Sequence, residues 1–142
     1  MHERVVNLFC RANPHWVDVR GSGILIGPGL VLTARHVVEI FERNHKEARH
    51  RGECADVLEM YGVQAWMDPP QTIIYKVRSW SLALWADLGI LEVDPASDLP
   101  LNFQWRALKL DLMPPRVGEP VAAFGFDLVE DRQDESRLEV SA

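Results

Sequence analysis

Residues 21–38 read GSGILIGPGLVLTARHVV, and this stretch decides the fold prediction. Two short apolar runs, residues 24–26 and 30–32, flank the tripeptide Gly-Pro-Gly at 27–29. Because glycine adopts positive φ without steric cost and proline presets φ, the tripeptide predicts a tight reversal between two strands. The second strand leads to His36 and then to a segment that we predict to be too short for a full helix. A histidine at a strand end is held by the sheet and open to a cleft, so His36 is a candidate general base.

The same stretch resembles the surroundings of the catalytic histidine in trypsin-like (chymotrypsin-fold) serine proteases. It is most similar to the bacterial HtrA-type branch, in which a G-S-G-hydrophobic strand leads through L-T-A-x-H-V to that histidine. Residues 32–37, LTARHV, match this motif. The resemblance implies an all-β fold, a six-stranded antiparallel Greek-key barrel followed by the first strand or hairpin of a second barrel. It also implies that His36 is the general base and acid of a Ser-His-Asp mechanism.

A second motif places an acidic residue at the entrance to an alternating apolar strand, in residues 84–93, LWADLGILEV. This resembles the family's D-[LI]-A-[LV]-L motif, with Gly89 where alanine is usual, and implies that Asp87 orients His36. Taken alone, an aspartate at this position fits equally well a strand-edge residue that prevents aggregation. The histidine motif favours the catalytic interpretation. We therefore expect an Asp87 carboxylate oxygen within about 2.6–3.2 Å of Nδ1 of His36.

The composition is that of a soluble globular protein long enough for one ordinary domain, with 142 residues, 47% hydrophobic and 25% charged. A formal net charge of -6 argues against nucleic acid or an anionic membrane as the main partner. No run approaches the ~18 apolar residues that a membrane-spanning helix needs. The first ten residues, MHERVVNLFC, lack the pattern of a secretory signal. We therefore expect a cytoplasmic protein, and the resemblance suggests a bacterial one.

Two cysteines, Cys10 and Cys54, do not make a disulfide framework, so we expect reduced and mostly buried thiols. Zinc can bind histidine and cysteine, but His45 and His50 with Cys54 lack the tight paired spacing of a structural site. We interpret residues 39–52 as a helical turn or two followed by a charged surface loop. Neither a metal nor a cofactor is predicted.

The chain divides into three predicted parts. Residues 1–95 form the N-terminal β-barrel with His36 and Asp87, residues 96–116 form an inter-barrel connector, and residues 117–142 begin an incomplete second barrel. In the last part, residues 117–126 resemble the strand that opens the family's second barrel, and residues 137–140 are compatible with one more short strand. Further strands are predicted at residues 4–10, 16–26, 56–61 and 72–80 from their apolar and β-branched patterns.

The family's nucleophilic serine lies in a G-[DN]-S-G-G motif within the second barrel, and no serine of this sequence has that context. Ser22 lies in Gly-Ser-Gly, but this is the structural glycine pair of the first barrel. Nothing around Cys54 provides the exposed turn that a reactive thiol needs. The resemblance therefore supplies a base and its orienting acid, without nucleophile, oxyanion loop or specificity pocket.

The predicted function is that of the N-terminal portion of a trypsin-like serine endopeptidase, which hydrolyses peptide bonds of a protein or peptide substrate. Three interpretations stay open: part of a longer protease, one chain of a split protease whose partner brings the serine, or a non-catalytic barrel that acts as an adaptor or regulatory module. We expect the 142-residue chain alone to be inactive, because it lacks the serine and the oxyanion hole. We also expect residues 117–126 to be covered by a partner, by a second copy or by the first barrel.

Overall fold

The structure is a computed structural model that describes residues 2–11, 16–50, 59–111, 113–120, 125–129 and 137–141. After a short 3-10 turn at His2–Arg4, these residues contain one helix and eight strands. The elements are β1 (Val5–Arg11), β2 (Trp16–Gly27), β3 (Leu30–Thr33), α1 (Arg35–His50), β4 (Glu59–Met67), β5 (Pro70–Leu82), β6 (Gly89–Pro95), β7 (Gly125–Val129) and β8 (Arg137–Ser141).

Strands β1 to β6 close into one six-stranded barrel in the order β1-β2-β3-β6-β5-β4. Every neighbouring pair in this barrel is antiparallel, and the crossover from β3 to β6 gives the Greek-key order. The predicted all-β class with a six-stranded antiparallel barrel is therefore confirmed. Strands β7 and β8 form a separate two-stranded antiparallel sheet.

The core fills the inside of the barrel because side chains of a strand alternate between its two faces. In β6, Gly89, Leu91 and Val93 are buried and the residues between them are exposed. Tyr75 is also buried, and its hydroxyl donates to the buried amide of Gln64, so both polar groups are satisfied. The buried apolar residues are Val5, Val6, Leu8, Leu25, Val31, Val37, Val38, Phe41, Met60, Trp66, Ile73, Tyr75, Val77, Leu91 and Val93.

The tight reversal predicted at residues 27–29 is present between β2 and β3. Gly29 has φ 67°, a left-handed conformation that glycine adopts without a steric penalty. Its carbonyl accepts a hydrogen bond of 2.9 Å from the N–H of Val93. A Cβ at this position would lie 3.1 Å from the Val93 carbonyl oxygen, so the turn also packs closely against β6.

The segment after β3 is a full helix, which corrects the prediction of one or two helical turns and a surface loop over residues 39–52. Helix α1 has 16 residues and includes His45 and His50. It buries Val37, Val38 and Phe41, and this packing stabilises a helix whose other residues are mostly polar. No helix in the described part of the chain has the length and apolar character needed to cross a membrane.

Strands β4 and β5 are longer than predicted. The residue partners run from Tyr61 with Lys76 to Met67 with Pro70, so β4 extends six residues beyond the predicted end at residue 61. The predicted start at residues 56–58 lies outside the described residues. The hairpin ladder, rather than the apolar pattern of each strand, sets the length of the two strands.

The predicted connector, residues 96–116, contains neither helix nor strand in its described positions, which exclude residue 112. It lies along the barrel instead of standing free. The N–H of Ala96 donates to the Ile74 carbonyl and the N–H of Leu108 donates to the Leu25 carbonyl, each at 2.7 Å. Phe103 is partly buried against the core.

The strand predicted over residues 117–126 is not formed at its beginning. Residues 117–118 are in a turn, and Gly118 has φ 85°. Residues 121–124 lie outside the described residues, and β7 begins only at Gly125. Strand β8 confirms the short strand predicted at residues 137–140. That β7 and β8 open a second barrel, and that residues 117–126 are covered, stay predictions.

Candidate active site

The barrel topology brings His36 and Asp87 to the same end of two paired strands. His36 is the second residue of α1, which follows β3 directly, and Asp87 lies in the loop of residues 83–88 between β5 and β6. Thr33 at the end of β3 pairs with Gly89 at the start of β6. His36, three residues after the end of β3, and Asp87, two residues before the start of β6, therefore meet at this edge.

The two side chains form a hydrogen-bonded pair. Nδ1 of His36 lies 2.7 Å from Oδ2 of Asp87, and the backbone N–H of His36 donates to Oδ1 of Asp87 at 2.9 Å. The distance is within the range expected from the sequence. Both carboxylate oxygens bind His36, one through the imidazole ring and one through the backbone N–H, so the position of the ring is fixed.

Asp87 also supplies the acceptor that the start of α1 lacks. Ala34 precedes the helix and has no side-chain oxygen, and the first turn contains no acidic residue. The first N–H groups of a helix need acceptors, and the helix dipole favours a negative charge there. The Asp87 carboxylate meets both needs from a loop 51 residues away in the chain.

These contacts favour the ionised form of Asp87. The backbone N–H of His36, followed by the His36 ring, holds the pKa of the Asp87 carboxyl below its ordinary value of 3.8. Hydrogen bonds to the charged form stabilise it relative to the protonated form. A carboxylate that stays negative can orient the Nδ1–H tautomer of His36 and stabilise the imidazolium that forms when Nε2 accepts a proton.

Thr33 fixes the end of the strand that carries the histidine. Its side chain is buried, and its hydroxyl donates to the Ser22 carbonyl oxygen at 3.0 Å. Ser22 lies inside β2 and pairs with Asn7 of β1. The structure therefore gives Ser22 a backbone role in the barrel, in agreement with its interpretation as part of a structural glycine pair.

Sequence reasoning missed Arg35, which joins α1 to the loop that carries Asp87. Its Nη1 donates to the carbonyl oxygen of Ala83 at 2.8 Å, and its Nε donates to Oε1 of Glu39 at 2.6 Å. The spacing of Arg35 and Glu39, four residues apart, was a visible signal for the helical pair. The contact with Ala83 had no signal, because a main-chain carbonyl is present at every residue.

The pair lies at an open surface. The side chains of His36 and Asp87 are 61% and 59% exposed. The loop beside them exposes Leu84, Trp85 and Leu88, and the Trp85 side chain is 88% exposed. Three large apolar residues in water next to a polar pair are typical of a surface that another chain or segment covers.

The arrangement is suited to proton transfer, and the described residues bring no nucleophile into hydrogen-bond contact with it. Within the described part of the chain, the His36 ring hydrogen-bonds only through Nδ1, which leaves Nε2 available at the surface. No serine, threonine or cysteine among the residues that the structure describes hydrogen-bonds to this ring. The side chains of Cys10, Cys54, Ser136 and Ser141 lie outside that description.

The histidines considered for zinc lie on α1, away from any metal-binding cluster of described residues. His45 and His50 are helical, and Cys54 lies outside the described residues. Among the side chains that the structure places, no three histidine, cysteine, aspartate or glutamate residues come together.

Comparisons of the chain with models of known protein families, with curated proteins and with solved structures found no match.

Proposed function

We propose that this chain is the N-terminal portion of a trypsin-like serine endopeptidase, with His36 as general base and acid and Asp87 as the residue that orients it. The observation that carries the proposal is the geometry of the pair, in which Nδ1 of His36 lies 2.7 Å from the Asp87 carboxylate and Nε2 is left at the surface. The two sequence motifs that suggested the pair supply independent support.

In the proposed reaction, a serine from another segment or chain hydrogen-bonds to Nε2 of His36. The serine oxygen attacks the peptide carbonyl carbon while its proton moves to Nε2, and the Asp87 carboxylate stabilises the resulting imidazolium. The imidazolium then gives this proton to the leaving amine, and an acyl-serine forms. Water, deprotonated by His36 in the same way, releases the acid and restores the serine. No metal or cofactor takes part in these steps.

The exposed apolar residues beside the pair support a partner or a further segment that brings this serine. Leu84, Trp85 and Leu88 surround Asp87 in one loop. Burial of one large apolar side chain contributes about 1.5–3 kcal/mol. A second domain that covers the loop would therefore gain binding free energy where it also places a hydroxyl opposite Nε2.

A non-catalytic adaptor is the second candidate, and one observation favours it. Oδ1 of Asp87 accepts the N–H of His36 at the start of α1, so the aspartate stabilises a helix whether or not catalysis occurs. This contact accounts for the aspartate and requires no histidine side chain. An adaptor function gives no reason for the contact between Nδ1 of His36 and the Asp87 carboxylate.

The decisive experiment is to express the complete reading frame that contains this sequence, together with the products of its neighbouring genes. Each preparation is treated with a fluorophosphonate probe and with a fluorogenic peptide library. We expect labelling and turnover only where a serine segment joins the chain, and neither with the 142-residue chain alone. In the active form, Asp87→Asn should lower kcat by about four orders of magnitude and His36→Ala by about six.

His45→Ala is the matched control, because His45 lies on the same helix and outside the pair. It should keep full activity. If every completed form stays unlabelled while the wild-type pair is intact, the adaptor becomes the better interpretation. If Asp87→Asn is as active as the wild type, Asp87 acts on the helix alone.

We further propose a cytoplasmic location in a bacterial cell. The support is the cysteine content, since two cysteines do not form the framework of disulfides that secreted small domains use. Fractionation of the source cells, with the chain detected by antibody, tests this. Recovery outside the cytoplasm would contradict it.

A further inference from the structure

Arg35, which precedes His36 in the chain, contacts both the loop of residues 83–88 and Glu39 of its own helix. Its guanidinium donates from Nη1 to the Ala83 carbonyl at 2.8 Å and lies 3.5 Å from the Leu84 carbonyl. These two carbonyls open the loop of residues 83–88. The same loop returns to α1 through Asp87, which accepts the N–H of His36. The loop is therefore fixed to the first turn of α1 at its beginning and near its end.

Glu39 fixes the direction of the guanidinium. Its carboxylate accepts from Nε of Arg35 at 2.6 Å, one helical turn further along α1. The loop has its own closure as well, since the N–H of Ala83 donates to the Leu88 carbonyl at 2.9 Å. With its two ends joined and its first carbonyls held, the loop has little freedom to move Asp87 away from the helix.

The position of Arg35 is unfavourable for the helix itself. A positive charge at a helix N-terminus opposes the macrodipole, where acidic residues are the stabilising choice. The order of the pair is also the weaker one, because glutamate placed before the basic residue stabilises a helix better than the reverse. Arg35 therefore does not stabilise its own helix well. Its contact with the loop of residues 83–88 is what explains the presence of an arginine at this position.

We propose that Arg35, held by Glu39, is a positioning residue that keeps the loop of residues 83–88 in the conformation in which Asp87 meets Nδ1 of His36. Arg35 reaches the reacting atoms only through the loop and the Asp87 carboxylate. The catalytic meaning of this role rests on the proposed function. The positioning itself does not, because it can be measured on the isolated chain.

The test uses nuclear magnetic resonance on the 142-residue chain with three variants. Arg35→Met removes the charge and all five donors and keeps the apolar stem. Arg35→Lys keeps the charge and loses the planar fork. Arg43→Met is the matched control, since Arg43 is an exposed residue of the same helix.

Two signals are followed in each protein. The first is the imidazole ¹⁵N and Nδ1–H resonance of His36, which reports the tautomer and its hydrogen bond. The second is hydrogen exchange at the backbone amides of His36 and Ala83, relative to global unfolding measured on the same sample. The second signal separates local opening of the loop from a general loss of stability.

We expect Arg35→Met to lose the protected Nδ1–H signal and to exchange about tenfold faster at these two amides, the factor that corresponds to about 1.4 kcal/mol. Arg35→Lys should lie between this variant and the wild type, because an ammonium can hold one carbonyl but not Glu39 and the loop together. Arg43→Met should match the wild type. If Arg35→Met does not fold, Arg35→Lys carries the decision with the same two signals.

An unchanged Nδ1–H signal and unchanged amide exchange in the folded Arg35 variants would overturn the positioning role, even if the completed protein proves to be a protease. Loss of both signals supports the role, even if no completed form shows turnover, and in that case only the proposed function fails. In an active form, Arg35→Met should lower kcat with little change in KM, since Arg35 acts on the orientation of Asp87 and His36.

Discussion

The two ends of the barrel differ in how they are covered. At the end where β6 finishes, the chain closes over the barrel with its own aromatic residues. Trp66 is 1% exposed, its ring lies 5.6 Å from that of Phe103, and Phe103 lies 5.2 Å from Trp105. At the end where β6 begins, the chain leaves Trp85 88% exposed beside Asp87. One end is a finished core, whereas at the other, the open end, α1 packs Val37, Val38 and Phe41 into the core and the loop of residues 83–88 stays exposed.

The difference separates the residues that stabilise the fold from those of the candidate site. The closed end takes its packing from residues that follow the barrel in the chain, and Trp105 also stacks on the buried Tyr75 at 5.5 Å. The open end is covered in part by α1, and its exposed loop of residues 83–88 carries Asp87 of the titratable pair. We infer that the exposed side chains of the loop of residues 83–88 can be removed at little cost in folding free energy, whereas the buried aromatic residues of the closed end cannot.

The most severe test of this comparison exchanges one tryptophan at each end for alanine. Trp66→Ala should lower the free energy of unfolding by about 3–5 kcal/mol, because a fully buried large side chain leaves a cavity. Its Nε1 donor to the Asp68 carbonyl is lost as well. Trp85→Ala is the matched control and should change stability by about 0.5 kcal/mol or less. Urea denaturation measures both.

A comparable loss of stability in the two variants would contradict the comparison, since it would mean that Trp85 is buried by the folded chain. A loss in Trp85→Ala that appears only when a partner is present would instead support the open end as an interface.

The second test asks whether the connector stabilises the barrel. Phe103→Ala should lower the free energy of unfolding by about 1–3 kcal/mol, because Phe103 is half-buried and contacts the rings of Trp66 and Trp105. Leu101→Ala is the control from the same segment, since Leu101 is fully exposed. Equal, small effects of the two changes would show that the connector only lies on the surface.

The third test compares two arginines that each bind a carboxylate. Arg106 pairs with Glu3 and lies over the Trp66 ring, 4.3 Å from its centroid, whereas Arg78 pairs with Asp94 at 2.8 Å on an exposed strand face. Arg106→Met should lower the free energy of unfolding by about 1 kcal/mol, from the cation–π contact and the partly buried pair.

Arg78→Met should change the free energy of unfolding by about 0.5 kcal/mol or less, because exposed ion pairs contribute little. Both changes remove one positive charge, so the net charge of the chain does not distinguish them. Thermal denaturation in low and high salt measures the two effects. A larger effect of Arg78→Met would mean that the exposed ion pair stabilises the fold more than the arginine packed on Trp66.

Much of the barrel could be predicted because its signals are local. The Gly-Pro-Gly turn, the apolar run of β3 and the alternating apolar residues of β6 specify strands within a few residues of chain. Helix α1 could not, because Val37, Val38 and Phe41, the buried residues among the side chains described for it, lie in its first half and two are β-branched. Packing against the barrel stabilises this helix, and that packing cannot be predicted from the sequence of the segment alone.

The candidate site was predictable in its two side chains and not in their setting. His36 and Asp87 each stand in a recognisable motif, and the barrel pairing places them together. The contacts of Arg35 with main-chain carbonyls, and the capping of α1 by Asp87, depend on where a loop passes. Hydrogen bonds to main-chain atoms do not depend on residue type. The sequence could therefore predict the pair of His36 and Asp87 without predicting the contacts that fix its position.

The smallest expected effect concerns the charge of Asp87 at the open end. The His36 backbone N–H, followed by the His36 ring, lowers the pKa of the Asp87 carboxyl in the folded chain. A carboxyl whose pKa is lower when folded stabilises the fold above its unfolded pKa, near 3.8, and loses this contribution as the pH falls through the lower folded value.

Asp87→Asn keeps the shape and removes the charge. Wild type should therefore exceed Asp87→Asn in unfolding free energy by a constant amount at neutral pH, and this difference should shrink below the ordinary aspartate range. The effect is small because Asp87 is 59% exposed and water screens its charge. Urea titrations at a series of pH values, with Asp98→Asn as the control for removal of one exposed carboxylate, measure it. A difference that stays constant down to the lowest pH would mean that the charge of Asp87 does not stabilise the start of α1, and the open end would then depend on the loop alone.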